Sequence, residues 1–328
     1  MRRAGTRVVG KCIHEPHSCP NNVRKLPLFI TNDDGIDSEG LLSLVRSLHR
    51  RGHPIVVLAP ESEQSATGMK LTLKSNMRFV EREDLSKEIE IEGGPLLKMF
   101  SLDGSPCDCV IVGVEMVLKR EKFMPMLCVS GINHGPNVSV DVLHSGTVSA
   151  AREASLYGMP SIAVSLATYQ HKNFSQSIAA ISRLIDACSV NMPEYLPNFL
   201  RPDGTKNMPT GKSTKDTIRS AFHNGDILLN LNIPEDWNGI YRTVGLGARW
   251  YRSATDSINS EGTGVAFEVG AATIDEEDIP DTDCNALNSG CASISPLGSW
   301  PSNHPLGVSD KILESASDED NEGLPNWL

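Results

Sequence analysis

No run of about 18 apolar residues occurs in the 328-residue sequence, which excludes a membrane-spanning helix. Basic residues are the minority, 30 against 41 acidic ones, and the net charge of −11 argues against a binder of duplex nucleic acid. The eight cysteines include no CxxC pair. Cys128 sits in an apolar run and Cys188 on a helical face, so the thiols read as reduced, small hydrophobes of a reducing compartment. Cys107 and Cys109 have no matching second pair, which leaves a zinc site poorly supported. Met1–Gly10 lacks the apolar stretch of a secretory signal, and a cytoplasmic location is expected. Residues 1–27 carry six basic side chains against Glu15 alone, a balance shared by solvated tails and by organellar transit segments.

Several catalytic signatures are also missing. None of the nine histidines forms HExxH, no GxGxxG follows a strand, and no DxDxT is present. Gly35 and Gly40 have the spacing of a phosphate-binding loop, but Leu41-Leu42 occupy the positions of its Lys and Ser or Thr. Gly211-Lys212-Ser213-Thr214 supplies those residue types, yet Lys206 stands where the leading glycine belongs. A zinc protease, a haloacid-dehalogenase phosphatase and a P-loop protein are thereby set aside.

What remains is an ordinary globular composition, 39% hydrophobic and 22% charged. Leu28–Thr31 and Ile55–Ala59 are short, continuously apolar runs, and a helical pattern at Leu41, Leu44, Val45 and Leu48 separates them. This is a βαβ unit, and its uninterrupted strands predict a parallel sheet covered on both faces. Further strands are expected at Met126–Ser130, Ser161–Leu166, Asp226–Ile233 and Ala292–Leu297, and more of them within Val244–Val269. Helices are expected from Ser105-Pro106 to about Arg120, at Ser145–Tyr157 and at Ser175–Val190. Leu71–Val80 and Ile89–Leu102 read as the two strands of a hairpin arm. Residues 191–224 read as a long loop or insertion, and Thr273–Asp283 as an acidic loop. One domain is expected over 26–300, with a disordered basic tail at 1–25 and a disordered acidic tail at 301–328.

Four stretches carry candidate chemistry. Asn32-Asp33-Asp34-Gly35 follows the first strand, at the edge where open α/β sheets bind ligands. Its adjacent carboxylates repel each other, and either a hard divalent cation or a tight turn before a helix accounts for them. Pro60–Gly68 follows the second strand and offers Ser65 on the same edge, or a plain hydroxyl-rich turn. Ser130–Asn137 places Asn133 and Asn137 among glycines, as amide ligands or as turn formers. His144–Ala151 opens a helix with small residues, where Ser145, Gly146 and Thr147 form an anion site or a plain N-cap. His134 and His144 flank the last two stretches as candidate proton donors or as unremarkable loop histidines.

Taken in order, these pieces resemble the SurE (survival protein E) family of metal-dependent phosphatases and nucleotidases. The resemblance includes NDDG, the serine five residues after Pro60, SGIN-x-GPN and SGTVSAA. Gly104–Val110, Thr282-Asp283 and Ser293–Leu297 add to it, so it runs from about Leu26 to Leu297. It implies a Rossmann-like, mostly parallel sheet with helices on both faces, a projecting β-hairpin and a C-terminal oligomerisation arm. By the same resemblance Asp33, Asp34, Ser65 and Asn133 hold one divalent cation, Mg²⁺ or Mn²⁺, and Asn137, Ser145, Gly146 and Thr147 bind the substrate phosphate. Asp33 and Asp34 are the expected catalytic residues, either of them orienting the attacking water. The implied substrates are nucleoside 5′- and 3′-monophosphates and short polyphosphate, and the implied assembly is a homodimer or homotetramer. Cys284-Asn285, where many members have an aromatic residue and histidine, departs from the pattern. The rival readings are a catalytically silent module that binds nucleoside monophosphates and an interaction protein acting through its tails.

Overall fold

Each residue of Leu28-Phe29-Ile30-Thr31 is buried in β1 (Leu28–Thr31), as is each residue of β2 (Ile55–Pro60). Burial on both faces is what a continuous apolar strand requires, and helices supply the cover. The computed structural model describes residues 23–205, 211–258, 266–270 and 273–328. After β1 and β2, linked by α1 (Glu39–Arg50), come β3 (Phe79–Glu81), α2 (Glu83–Ile89) and β4 (Leu97–Leu102). Next is α3 (Pro106–Val112), which continues through a π-helical turn (Gly113–Val117) into α4 (Leu118–Arg120). Then follow β5 (Leu127–His134), α5 (Asp141–His144), α6 (Gly146–Leu156), β6 (Ser161–Leu166), α7 (Ser175–Asn191), α8 (Thr214–His223) and β7 (Ile227–Ile233). The remaining elements are β8 (Tyr241–Thr243), β9 (Ala248–Arg252), β10 (Thr255–Ile258), β11 (Ala266–Val269), β12 (Thr273–Glu277), α9 (Asp283–Asn288), β13 (Ala292–Gly298) and α10 (Asp310–Ala316).

Nine strands form one sheet in the order β3-β4-β2-β1-β5-β6-β7-β13-β8. The run from β4 to β7 is parallel, whereas β3 and β13 pair antiparallel with β4 and β7. Helices α1 and α7 pack together in one layer, and α3 and α6 in another. The expected mostly parallel α/β architecture is therefore present. Among the described residues no helix is long and apolar enough to cross a membrane.

Local readings differ from the structure in four places. The hairpin expected at 71–102 is a short edge strand β3, helix α2 and strand β4. Glu83–Ile89 turns out helical because Leu85 and Ile89, four apart, share the buried face and Lys87 pairs with Glu83. The projecting hairpin lies further along: β9 pairs antiparallel with β12, and β10 with β11 beyond them. Part of the acidic loop 273–283 is thus strand β12. Within 191–224, Ser213 caps α8 by accepting from the Asp216 N–H, and Ile218, Ala221 and Phe222 bury one face of that helix.

The fourth correction concerns the acidic tail. Residues 301–328 pack against the body of the protein instead of remaining disordered. Trp327 is fully buried, its ring centroid lies 5.4 Å from that of Phe222, and its indole N–H donates to the Ala316 carbonyl at 2.9 Å. Arg242 pairs with Glu319 and Arg183 with Glu322, so part of the acidic surplus is paired with cations of the sheet and α7. An acidic cluster at 318–322 marks this segment, while its apolar anchors decide its fate. The expectation for residues 1–22 of the basic tail lies outside the described residues. Arg24 donates to the Pro193 carbonyl at 2.7 Å.

Trp327→Ala is expected to lower the unfolding free energy by about 3–5 kcal/mol, as for other buried aromatics. Chemical denaturation reads this directly, and a loss below about 1 kcal/mol would mean that the carboxy-terminal segment is only loosely attached.

Candidate active site

Strand β1 is flanked by β2 on one side and β5 on the other, so the chain changes direction across the sheet here. Ligands of open α/β sheets bind outside the carboxyl ends of the strands at such a point. β1 leads directly into Asn32-Asp33-Asp34. The buried Asn32 amide closes the turn by donating to the Gly35 carbonyl (3.0 Å) and the Ser38 hydroxyl (2.8 Å). Asp33 points inward and is 4% exposed. The Thr147 N–H donates to Asp33 Oδ2 at 3.0 Å, and the Thr147 hydroxyl donates to Oδ1.

This contact requires the first turn of α6 to approach the carboxylate closely. A Cβ at Gly146 would lie 2.8 Å from Asp33 Cβ and 2.9 Å from Asp33 Oδ2, so only glycine fits without a shift. Burial pushes the Asp33 carboxyl up from 3.8 to about 6; the Thr147 hydrogen bonds oppose this and the Asp34 charge adds to it. Burial also raises Asp34, with the Glu63 charge adding, while the His134 backbone N–H opposes it by donating to Oδ2 at 3.3 Å. Among the described residues no Lys or Arg forms an ion pair with either carboxylate, although Lys172 exerts a weak favourable field on Asp34.

The other expected residues converge from three further segments. The Gln64 N–H donates to the Asp33 carbonyl at 2.8 Å and ties the loop after β2 to the acidic turn. Ser65 on that loop donates to Glu63 Oε1 at 2.8 Å. Asn133 lies within β5, which runs further than expected, and its amide nitrogen donates to the Gly135 carbonyl at 2.8 Å. That bond directs the Asn133 carbonyl oxygen the opposite way. Ser145 caps α6, its hydroxyl accepting from the Val148 N–H at 3.0 Å.

Asn137 is fixed by residues that the sequence reading missed. Its N–H donates to Asn232 Oδ1 (2.8 Å), and its carbonyl accepts from Asn230 Nδ2 (2.7 Å) and Asn232 Nδ2 (3.1 Å). The Asn137 amide in turn donates to the Ser165 hydroxyl at 2.9 Å. A signal was available. Ile227-Leu228-Leu229-Asn230-Leu231-Asn232-Ile233 is an apolar strand with two asparagines at alternate positions, hence on one face. Buried amides need partners, and these two find the peptide of Asn137.

Together these groups line one crevice with two lobes. A lobe of about 380 Å³ is lined by Asp33, Ser65, Asn133, Asn137 and Ser145; the other, about 490 Å³, is lined by Asp34, Ser65 and Glu63. Gly146 and Thr147 stand behind Asp33. Thr147 is fully buried and both its donors are on that carboxylate. His134 and His144 line the crevice, with His134 Nε2 3.0 Å from the His171 carbonyl. Tyr169, Tyr251 and Lys172 also line it and carried no motif in the sequence. Cys107 lies outside the crevice, and burial pushes its thiol up to about 12, which leaves it protonated at neutral pH in the metal-free protein. Among the described residues no three or more His, Cys, Asp and Glu side chains gather as a metal site.

Comparisons with known proteins point to one family. The family model for Survival protein SurE matches residues 28–255. A 5′-nucleotidase SurE from Gloeobacter violaceus is 34% identical over 274 residues, covering 82% of this chain and 89% of that protein. Its counterpart from Pelotomaculum thermopropionicum is 34% identical over 271 residues, covering 82% and 88%. The crystal structure of the SurE protein from Aquifex aeolicus matches at a TM-score of 0.61 and 25% identity, over 88% of this chain and 99% of that one.

Two outcomes follow from the geometry. Folding raises the Asp33 pKa, so the folded state holds this proton more tightly than the unfolded one. The stability from this group is full below its ordinary 3.8 and is lost as pH rises towards about 6. With a chelator present, Asp33→Asn is expected to gain stability relative to the parent across that window, measured by urea unfolding at several pH values; a pH-independent difference would contradict the assignment. Asn232→Ala is expected to cost about 1–3 kcal/mol, because it leaves the buried Asn137 N–H without its acceptor. A loss no larger than that of an exposed Asn→Ala control, by thermal unfolding, would show that water replaces the amide.

Proposed function

The chain belongs to the SurE family, and from that premise we propose that it is a cytoplasmic phosphomonoesterase hydrolysing nucleoside monophosphates with the help of one divalent cation. The reading is carried by one observation: two adjacent, largely buried carboxylates, without an ion-pair partner among the described residues, share a crevice with Ser145 at the start of α6. Relatives named 5′-nucleotidase support the substrate class, with the phosphate at the 5′ position.

The donor set fits a hard cation. Asp33 and Asp34 supply carboxylate oxygens, Ser65 a hydroxyl and Asn133 an amide carbonyl, which favours Mg²⁺ or Mn²⁺ over zinc or copper. Both carboxyls are held above their ordinary range by burial, a penalty that a bound cation relieves. When bound, the cation supplies neutralisation of this pair and polarisation of a phosphoryl oxygen.

The chain's own residues do the rest. Thr147 fixes Asp33 through two hydrogen bonds, whereas Asp34 Oδ1 accepts none among the described residues. Asp34 is therefore the carboxylate that orients the attacking water. Asn137, pinned by β7, and Ser145 at the start of α6 hold the phosphate, and Gly146 and Thr147, which stand behind Asp33, take part through that carboxylate. The helix dipole and these donors face the charge on the equatorial oxygens, which is most of what phosphoryl transfer requires. Water oxygen bonds to phosphorus and gives up a proton, the ester P–O bond breaks, and the leaving oxygen takes up a proton so that the nucleoside departs as its alcohol. Assembly as a homodimer or homotetramer belongs to the same proposal, supported by the apolar side chains Trp250, Val269 and Ile274 exposed on the hairpin.

The test is phosphate release from nucleoside 5′- and 3′-monophosphates, short polyphosphate and p-nitrophenyl phosphate, with Mg²⁺ or Mn²⁺ and with chelator. Release from the 5′-monophosphates is expected only with the cation, and Asp34→Asn is expected to lower kcat by roughly 100-fold or more. Turnover that survives the chelator, or an Asp34→Asn variant as active as the parent in saturating Mn²⁺, would refute the metal-dependent reading. Binding without any release would leave a silent nucleotide-binding module.

A further inference from the structure

The two lobes of the crevice differ in chemistry. The lobe outside Asp34 is walled by Asp37, Glu39, Glu61 and Glu63, of which Asp37 pairs with Arg82 and Glu61 with Arg78, and by Lys172, Phe174 and Tyr169. The lobe outside Asp33 and Asn137 has Tyr169, Tyr251, Pro136 and Ala66 in its wall. A phosphate held between Asn137 and Ser145 borders the second lobe. The rest of its ester therefore meets both tyrosines on one side of the site, where Asp141 is engaged by Tyr251 and Arg249, and on the other side a lobe whose carboxylates outnumber its cations. Carboxylates repel an anionic ester, whereas a flat uncharged group matches the rings.

Both rings are held in place before any ligand arrives. Tyr169 follows β6 and is 67% exposed, a large aromatic face left in water at the mouth of the site. It lies over Gly135, where a Cβ would come within 2.3 Å of the ring, and the His134 imidazole meets it edge-on at 6.1 Å. Tyr251 comes from β9 of the hairpin, more than eighty residues further along, and donates its hydroxyl to Asp141 Oδ1 at 2.5 Å. Arg249, paired with Asp141 and Glu276, secures the same strand against α5, the short helix that precedes α6. One exposed ring is an ordinary surface feature. Two fixed rings from distant segments, facing one lobe beside the phosphate position, make a built wall.

We propose that Tyr169 and Tyr251 form the subsite for the base of the leaving nucleoside, with Tyr169 the stacking platform and Tyr251 the second wall. This rests on the phosphomonoesterase reading and deepens it. Stacking uses the π-face that every base has, so the subsite favours nucleoside monophosphates over sugar phosphates and discriminates weakly among bases. The hairpin base also becomes part of the active site, because it delivers Tyr251.

The decisive measurement is the ratio of kcat/KM for adenosine 5′-monophosphate to that for ribose 5-phosphate. Tyr169→Ala is expected to lower this ratio about tenfold, mainly through KM, and Tyr169→Phe is expected to restore it. Tyr251→Phe, which keeps the ring and removes the bond to Asp141, is expected to lower it less than Tyr251→Ala. A ratio unchanged in Tyr169→Ala would overturn the proposal, even if both substrates are turned over more slowly. Calorimetric binding of adenosine, which has no phosphate, separates this idea from the reaction itself. Weaker adenosine binding by Tyr169→Ala supports the subsite even if no monoester is hydrolysed, and equal binding by variant and parent refutes it whatever the activity.

Discussion

The hydrogen bonds between Asp33 and Thr147 join the end of the first strand to the start of α6. Every other part of the crevice is arranged around this contact. It places a carboxylate against a helix N-terminus, where the backbone N–H groups and the helix dipole favour negative charge. It also requires a glycine at position 146, because any side chain there would collide with the carboxylate. Loops from β2 and β5 then attach to the same turn through the Gln64 and His134 N–H groups. The site is thus a knot of short bonds at the switch point of the sheet.

Such a knot carries a cost. Two neighbouring carboxylates are taken largely out of water, and burial raises both pKa values. A fold selected only for stability would avoid this pair, so its presence marks a functional site. The buried asparagines of β7 work the other way. Asn230 and Asn232 satisfy the peptide of Asn137 and hold a loop that has neither helix nor strand of its own at that position. Rigid support from a central strand is what allows a loop residue to face a ligand with a fixed orientation.

The hairpin connects the site to the periphery. Its inner strands bind Asp141 through Arg249 and Tyr251, while Trp250 and Ile274 face solvent. A contact made by the outer hairpin is therefore mechanically linked to the wall of the crevice. The carboxy-terminal segment has a different task. Trp327 plugs the region between α8 and α10, and the paired acidic residues around it lock the segment in place.

Sequence alone was sufficient for the sheet's central strands, because runs such as Ile55–Ala59 permit no other buried partner than a covered parallel sheet. It was also sufficient for the turn at Asp33-Asp34 and for the capped start of α6, since these depend on neighbours within a few residues. Short helix α2 was missed, falling mostly in the connection between the two expected strands, because its period is visible over only two apolar positions, Leu85 and Ile89. The tail at 301–328 was misread because its acidic run at 318–322 is a local signal, whereas the pocket that accepts Trp327 is built from α8 and α10. Thr147 facing Asp33, the Asn137 clamp and the two tyrosines at the crevice mouth join segments up to about two hundred residues apart. No local pattern encodes those distances; packing of the sheet and its helices sets them.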